Sequence, residues 1–91
     1  MKTKIFLQYK AVKFLESLDE HSKNIIKSKI KELEDFPERG KHLSHTIFWS
    51  LRIGDYRAIY EIDKNKREIK IWFIGHRKDV YDDFSKLFLL F

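Results

Sequence analysis

Arg52, Arg57 and Arg77 are spaced so that strand register brings them to one edge of a small sheet, with Tyr81 close behind. Residues 47–53 and 56–62 are two apolar-alternating runs separated by Gly54 and Asp55, the pattern of a hairpin with a two-residue turn. Glycine in the first turn position suits type II′ geometry, which needs positive φ there. With that turn, Ile53 pairs with Tyr56, Leu51 with Ala58, Trp49 with Tyr60 and Ile47 with Ile62. All four pairs are apolar, which checks the register. Arg52 then stands directly across from Arg57 on the opposite face. Like charges held about 5 Å apart cost stability, so the pair asks for an anion. Phosphate is the natural candidate, because guanidinium grips it bidentately. The plainer reading is two solvated arginines on an exposed sheet face.

Other residue types near this edge could join such chemistry. His76, flanked by Arg77 and Lys78, is the best titratable group, and Glu61 is a weaker one on the same predicted face. Trp72 is placed to stack on a base. His76 could equally be a turn residue bonded to backbone, and Tyr81 a core tyrosine. Arg39 and Arg67 fall in loops away from the edge and read as ordinary surface or RNA-backbone contacts. His42 and His45 stand three apart, without a third ligand in a metal-binding spacing.

The elements that must position these groups follow from periodicity. Residues 4–9 read as a first strand. Ala11, Phe14, Leu15 and Leu18 then fall at i, i+3, i+4 and i+7, one face of a short helix. Asp19 can cap a second helix whose buried face is Ile26, Ile30 and Leu33, and Phe36 before Pro37 ends it. A basic loop, 38–46, leads into the hairpin. A further strand, 68–75, follows a polar turn, with Ile62 facing Ile69, Tyr60 facing Ile71, Ala58 facing Phe73 and Glu61 facing Lys70. That register leaves Ser50, Arg52, Arg57, Ile59, Glu61, Lys70, Trp72 and Ile74 on the face away from the helices. Residues 82–91 are apolar at helical spacing and suggest a short C-terminal helix. The predicted class is α+β: an antiparallel-rich sheet of about four strands packed on an N-terminal helical hairpin, in one domain spanning 1–91.

Ninety-one residues with 43% hydrophobic content suffice for one core, so wholesale disorder is not expected. There is no cysteine, which excludes disulfides and thiolate-bound zinc. No run reaches the length of a membrane span and the opening apolar run is too short for a signal peptide, so a cytoplasmic protein without membrane partners is expected. A formal net charge of +5 favours an acidic partner, nucleic acid or acidic protein.

The segment from Trp49 through Gly54, Asp55, Tyr56 and Arg57 to Tyr60, and the segment from Ile74 through Gly75, His76, Arg77, Lys78, Asp79 and Val80 to Tyr81, resemble the RelE toxins of the RelE/ParE superfamily. In length and composition the chain resembles the archaeal members. The first segment is shared across the superfamily, whereas the Gly75–His76–Arg77 turn followed by tyrosine is more specific to the ribosome-dependent ribonucleases. The order of elements agrees over essentially the whole chain. The resemblance implies a toxin of a type II toxin–antitoxin pair that cleaves messenger RNA in the ribosomal decoding site. The RNA's own 2′-hydroxyl would attack the neighbouring phosphate without a metal or other cofactor. It also implies a RelB-like antitoxin as partner, beside the ribosome and mRNA. Carried over by position, Arg57 would hold the scissile phosphate, Arg77 would stand near the leaving oxygen, and Tyr81 near the bound nucleotide. Arg52 and Lys78 would bind further phosphates. Phe48 and Ser50 stand where some relatives carry lysines, a departure at the catalytic face.

This chemistry needs preorganised cations for charge developing on the phosphate oxygens. It also needs a base for the 2′-proton and an acid for the leaving 5′-oxygen. Arginine serves the first need and stays too firmly charged for the second. Two rivals remain: a ParE-type toxin that inhibits DNA gyrase through protein contacts, and an RNA-binding module that does not cut.

Overall fold

A computed structural model describes residues 2–80. Tyr81 and the expected C-terminal helix lie outside the described residues. The chain forms β1 (Lys4–Leu7), α1 (Tyr9–Glu16), α2 (Glu20–Lys31), a 3-10 turn (Glu32–Glu34), β2 (Lys41–His42), β3 (Phe48–Ile53), β4 (Tyr56–Asp63) and β5 (Glu68–His76). One sheet of five strands, in order β1-β5-β4-β3-β2, carries them all. It is antiparallel except at β1, which runs parallel to β5. The expected α+β class holds, with one strand more than the four or so expected. The addition is β2, a two-residue edge strand inside the predicted basic loop.

The helices form where periodicity and capping place them. The Asp19 side chain accepts from the Ser22 N–H at the head of α2, and hydrogen bonding with the Ser22 side chain, followed by that N–H, holds its carboxyl below the ordinary aspartate range. The first helix starts at Tyr9, two residues earlier than expected, so β1 is correspondingly short. Ala11 and Leu15 of α1, Ile26 and Ile30 of α2, and Leu33 meet Leu51, Ile53, Ala58, Tyr60, Ile69, Ile71 and Ile74 in the main core. Burying those aliphatic side chains is the chief stabilising contribution, at about 1.5–3 kcal/mol each.

The β3–β4 hairpin has the predicted register throughout, Arg52 opposite Arg57 included. Gly54 takes φ of 60° while Asp55 stays at negative φ, as type II′ requires. The β4–β5 register corrects the expectation. It begins as predicted, with Ile62 facing Ile69, Glu61 facing Lys70 and Tyr60 facing Ile71. It then shifts at Ile59 and Tyr60, so that Ala58 meets Ile74 rather than Phe73. Trp72 is the extra residue of this bulge. A one-residue slip exchanges faces: Ile74 enters the main core, and Phe73 joins Ile59, Val80, Leu43, Phe48 and Trp72 in a second apolar cluster. Ile74 was expected on the other face; the bulge removes it.

Candidate phosphate-binding groove

Residues paired across antiparallel strands share a face, so Lys41 of β2, Ser50 and Arg52 of β3, and Arg57 of β4 stand together. The Arg57 side chain leans across β3, where its Nη1 donates to the Ser50 Oγ at 3.2 Å. Arg52 turns the other way, its Nε donating to the Gly54 carbonyl at 3.4 Å. The two guanidinium groups therefore splay apart, which relieves the like-charge contact their register imposes and opens space between them. That space is a groove of about 380 Å³, lined by Arg52, Arg57, Ser50 and Leu51 on one side and by Lys29, Arg39, Gly40 and Lys41 on the other. Among the described residues, five of the eight that line it are cationic and none is acidic, which favours an anion.

The sequence places Arg39 in a loop away from the hairpin edge, as an ordinary surface or RNA-backbone contact; the fold brings it to the groove wall. Its Nη1 binds the Glu32 Oε1 at 2.8 Å, and its guanidinium lies 5.0 Å from the Phe36 ring centroid. Lys41 of the basic loop stands beside Arg39, in register with Ser50. Tyr60 holds this wall from beneath. Its hydroxyl, wholly buried, donates to the Pro37 carbonyl at 2.9 Å and accepts from the Gly40 N–H at 3.1 Å. Burial pushes its phenol above the usual value, partly opposed by the Gly40 N–H and reinforced by the Glu38 charge. A Cβ at Gly40 would stand 2.7 Å from the Tyr60 hydroxyl and 2.8 Å from the Ser50 carbonyl oxygen. Only glycine allows so close an approach.

The remaining predicted residues are distributed differently. The Arg77 N–H donates to the Asp55 carbonyl at 2.7 Å, which ties the end of β5 to the hairpin turn as expected. Its side chain, however, lines a neighbouring depression with His76, Lys78, Asp79 and Asp55. His76 is the strand partner of Tyr56, and Gly75 is the partner of Arg57. His76 therefore points to the face opposite Arg57, where its ring lies 5.1 Å from Tyr56 and 5.7 Å from Phe14. Trp72 keeps to the Arg57 face, its Nε1 donating to the Glu61 Oε1 at 2.8 Å. Glu61 lies four residues from Arg57 along β4, about 13 Å at the usual rise per residue. The structure thus gathers Arg52 and Arg57, sets Arg77 and Lys78 at the same end in a second depression, and separates His76 and Glu61 from both arginines of the groove.

Comparison with known proteins adds the family. The model for "ParE toxin of type II toxin-antitoxin system, parDE" matches residues 5–81. Among solved structures, the RelBE2 toxin–antitoxin complex of Mycobacterium tuberculosis superimposes with a TM-score of 0.75 at 25% identity, covering 85% of this chain and 100% of that one. The archaeal RelE–RelB complex of Pyrococcus horikoshii gives 0.73 at 27% identity, covering 85% and 97%. A free mutant of the Escherichia coli toxin RelE, at 22% identity, shares the fold with a TM-score of 0.77 over 94% and 97%. No protein of curated function matches the sequence.

Proposed function

This chain belongs to the ParE toxin family of type II toxin–antitoxin systems, and from that premise we propose that it is a ribosome-dependent messenger RNA endonuclease of the RelE type. The observation that carries the reading is the groove where Arg57, braced on Ser50, stands in register with Arg52, with no acidic lining among the described residues. A gyrase inhibitor acting by protein contact has no need of a cation-lined groove.

In the proposed reaction the 2′-oxygen of the RNA attacks the adjacent phosphorus, the bond from phosphorus to the 5′-oxygen breaks, and a cyclic phosphate and a free 5′-hydroxyl result. Arg57 holds the non-bridging oxygens and stabilises the charge that develops there. Arg52 binds the phosphate backbone beside it. Arg77 and Lys78 meet the strand at the hairpin end, on the leaving-group side, with Tyr81 three residues further along the chain. Among the described residues of the groove, none fills the proton-transfer role. His76 was the sequence candidate, and its place on the far side of the sheet argues for a helper outside the groove. Among the described residues the groove is lined by cations and by no imidazole or carboxylate, which suits an enzyme that the ribosome completes. The partner that silences the toxin is a RelB-like antitoxin, as in the complexes whose toxins share this fold.

The matching family model is the ParE one, so the ParE-type gyrase inhibitor is kept as the second reading. Incubating the protein with translating ribosomes and mapping messenger 5′ ends, beside a gyrase supercoiling assay, separates the two. New ends within the decoding site support the endonuclease. Intact messenger with blocked supercoiling would overturn it. Among the described residues no helix is long and apolar enough to cross a membrane.

A further inference from the structure

The groove is larger than one phosphate requires. Its lining runs from β2 across β3 to β4, two strand spacings or about 10 Å, and its volume of about 380 Å³ falls among sites that hold a whole small ligand. Arg57 and Arg52 occupy one side of it. The opposite wall has its own cations, Arg39 and Lys41, and its own support. Glu32 fixes one edge of the Arg39 guanidinium and leaves its remaining donors for another acceptor. Lys41, fully on the surface, is set in register opposite Ser50.

The support is specific. The Tyr60 hydroxyl, buried under the wall, binds the backbone on both sides of Arg39, at Pro37 and Gly40. The absent Cβ at Gly40 lets that backbone settle onto Ser50. The pairing of β2 with β3 and the Arg39–Glu32 bridge hold the same stretch from its other sides. A buried phenol fixed to two backbone groups holds the wall at a set distance from Arg57.

We propose that Arg39 and Lys41 form a second phosphate subsite, which holds the RNA phosphate next to the scissile one, and that Tyr60 is the residue that positions it. The inference rests on the reading of the chain as an RNA-cleaving toxin and deepens it. The enzyme grips two consecutive phosphates across β2, β3 and β4. Arg57 acts on the one that reacts, and the Arg39–Lys41 wall sets the register of the strand.

The test uses the full chain and a short oligoribonucleotide with a 2′-deoxy residue at its centre, so that it binds without being cut. Binding is measured by fluorescence anisotropy across a salt series, and turnover on translating ribosomes is measured separately. The double variant Arg39→Ala/Lys41→Ala should bind about tenfold more weakly and lose roughly 0.7 from the salt slope, the value for one phosphate on a single strand. On ribosomes it should raise KM and keep kcat. Lys41→Arg should restore the slope where Lys41→Gln does not. Tyr60→Phe should lower the slope in the same direction while retaining a cooperative thermal transition. Lys66→Ala, in the far β4–β5 turn, should change none of these. An unchanged slope in the double variant would overturn the subsite, and a fall in kcat equal to that of Arg57→Ala would place both residues at the scissile phosphate instead. If Tyr60→Phe loses stability alone, its positioning role falls. Should the parent cut nothing on ribosomes, the endonuclease reading fails by itself, and the salt slopes still decide whether the groove holds two phosphates.

Discussion

His76 and Tyr56 are strand partners whose rings lie 5.1 Å apart, on the face of the sheet opposite Arg57. The pairing of Gly75 with Arg57 in the next register position makes this unavoidable, because successive side chains on a strand point to opposite faces. A general base must come within hydrogen-bond reach of the proton it takes. The imidazole is instead packed edge-on against Phe14.

The first prediction follows from that geometry. His76→Ala should lower kcat on ribosomes by less than about tenfold, below the 10²–10³ or more that a general acid or base contributes. It should also leave the shape of the pH–rate profile unchanged between pH 5 and 8, where an imidazole titrates. A loss of about a hundredfold, with an arm of the profile removed, would return His76 to the chemistry.

Arg57 should behave oppositely. Arg57→Ala should cost about 10²–10³ in kcat, the loss typical of one charge-stabilising donor. Its side chain is half-buried on the groove face and outside the main core. Stability should therefore fall by no more than about 1 kcal/mol, as measured by urea denaturation. Cleavage at the parent rate would remove Arg57 from the site.

Arg52 and Lys78 line the two depressions at the hairpin end and are exposed. Neutralising either should weaken ribosome binding and reduce the salt slope by roughly one unit each. Turnover at saturating ribosome should hardly change. An equal loss of turnover would put them in the cutting step.

Where apolar and polar residues alternate, the sequence was sufficient to read the structure. The hairpin register, the Gly54 turn and the pairing of Arg52 with Arg57 all follow from alternation over residues 47–62. Alternation fails in β5 because Ile71, Trp72, Phe73 and Ile74 are all apolar, so either face accepts any of them. The bulge at Trp72 was therefore invisible, and with it the place of Phe73, Ile74 and His76. The groove wall was hidden for a different reason. Arg39, Gly40 and Lys41 show no periodicity, and what places them is a contact with Tyr60 twenty residues away in sequence. The trace that remained was a glycine between two cations directly before a strand.

Gly40 makes that contact testable. In Gly40→Ala the new methyl would press on the Tyr60 hydroxyl and on the backbone oxygen of Ser50, and the latter cannot move without disturbing β3. Overpacking of this kind costs about 1–3 kcal/mol. A lowered denaturation midpoint together with weaker oligonucleotide binding is expected. Full stability would mean that the loop rides free of the sheet.

The buried phenol should also leave a mark on alkaline stability. Burial raises the Tyr60 pKa above the ordinary value of 10.0. The folded protein therefore keeps this proton at pH values where the unfolded chain has released it. Above about pH 10 the unfolded state binds fewer protons than the native state, and stability falls as pH rises. The contribution is complete below the unfolded pKa and is lost as pH climbs towards the raised folded value. Other tyrosines and the lysines titrate in the same range, so the informative quantity is the difference between parent and Tyr60→Phe. The parent should be the more stable at neutral pH, because it keeps the bonds to Pro37 and Gly40, and that advantage should shrink as pH rises above about 10. Urea denaturation of both proteins from neutral pH into the alkaline range measures it. A constant difference across that range would mean that the hydroxyl is not held in a buried, water-free position, and the anchoring of the groove wall would fall with it.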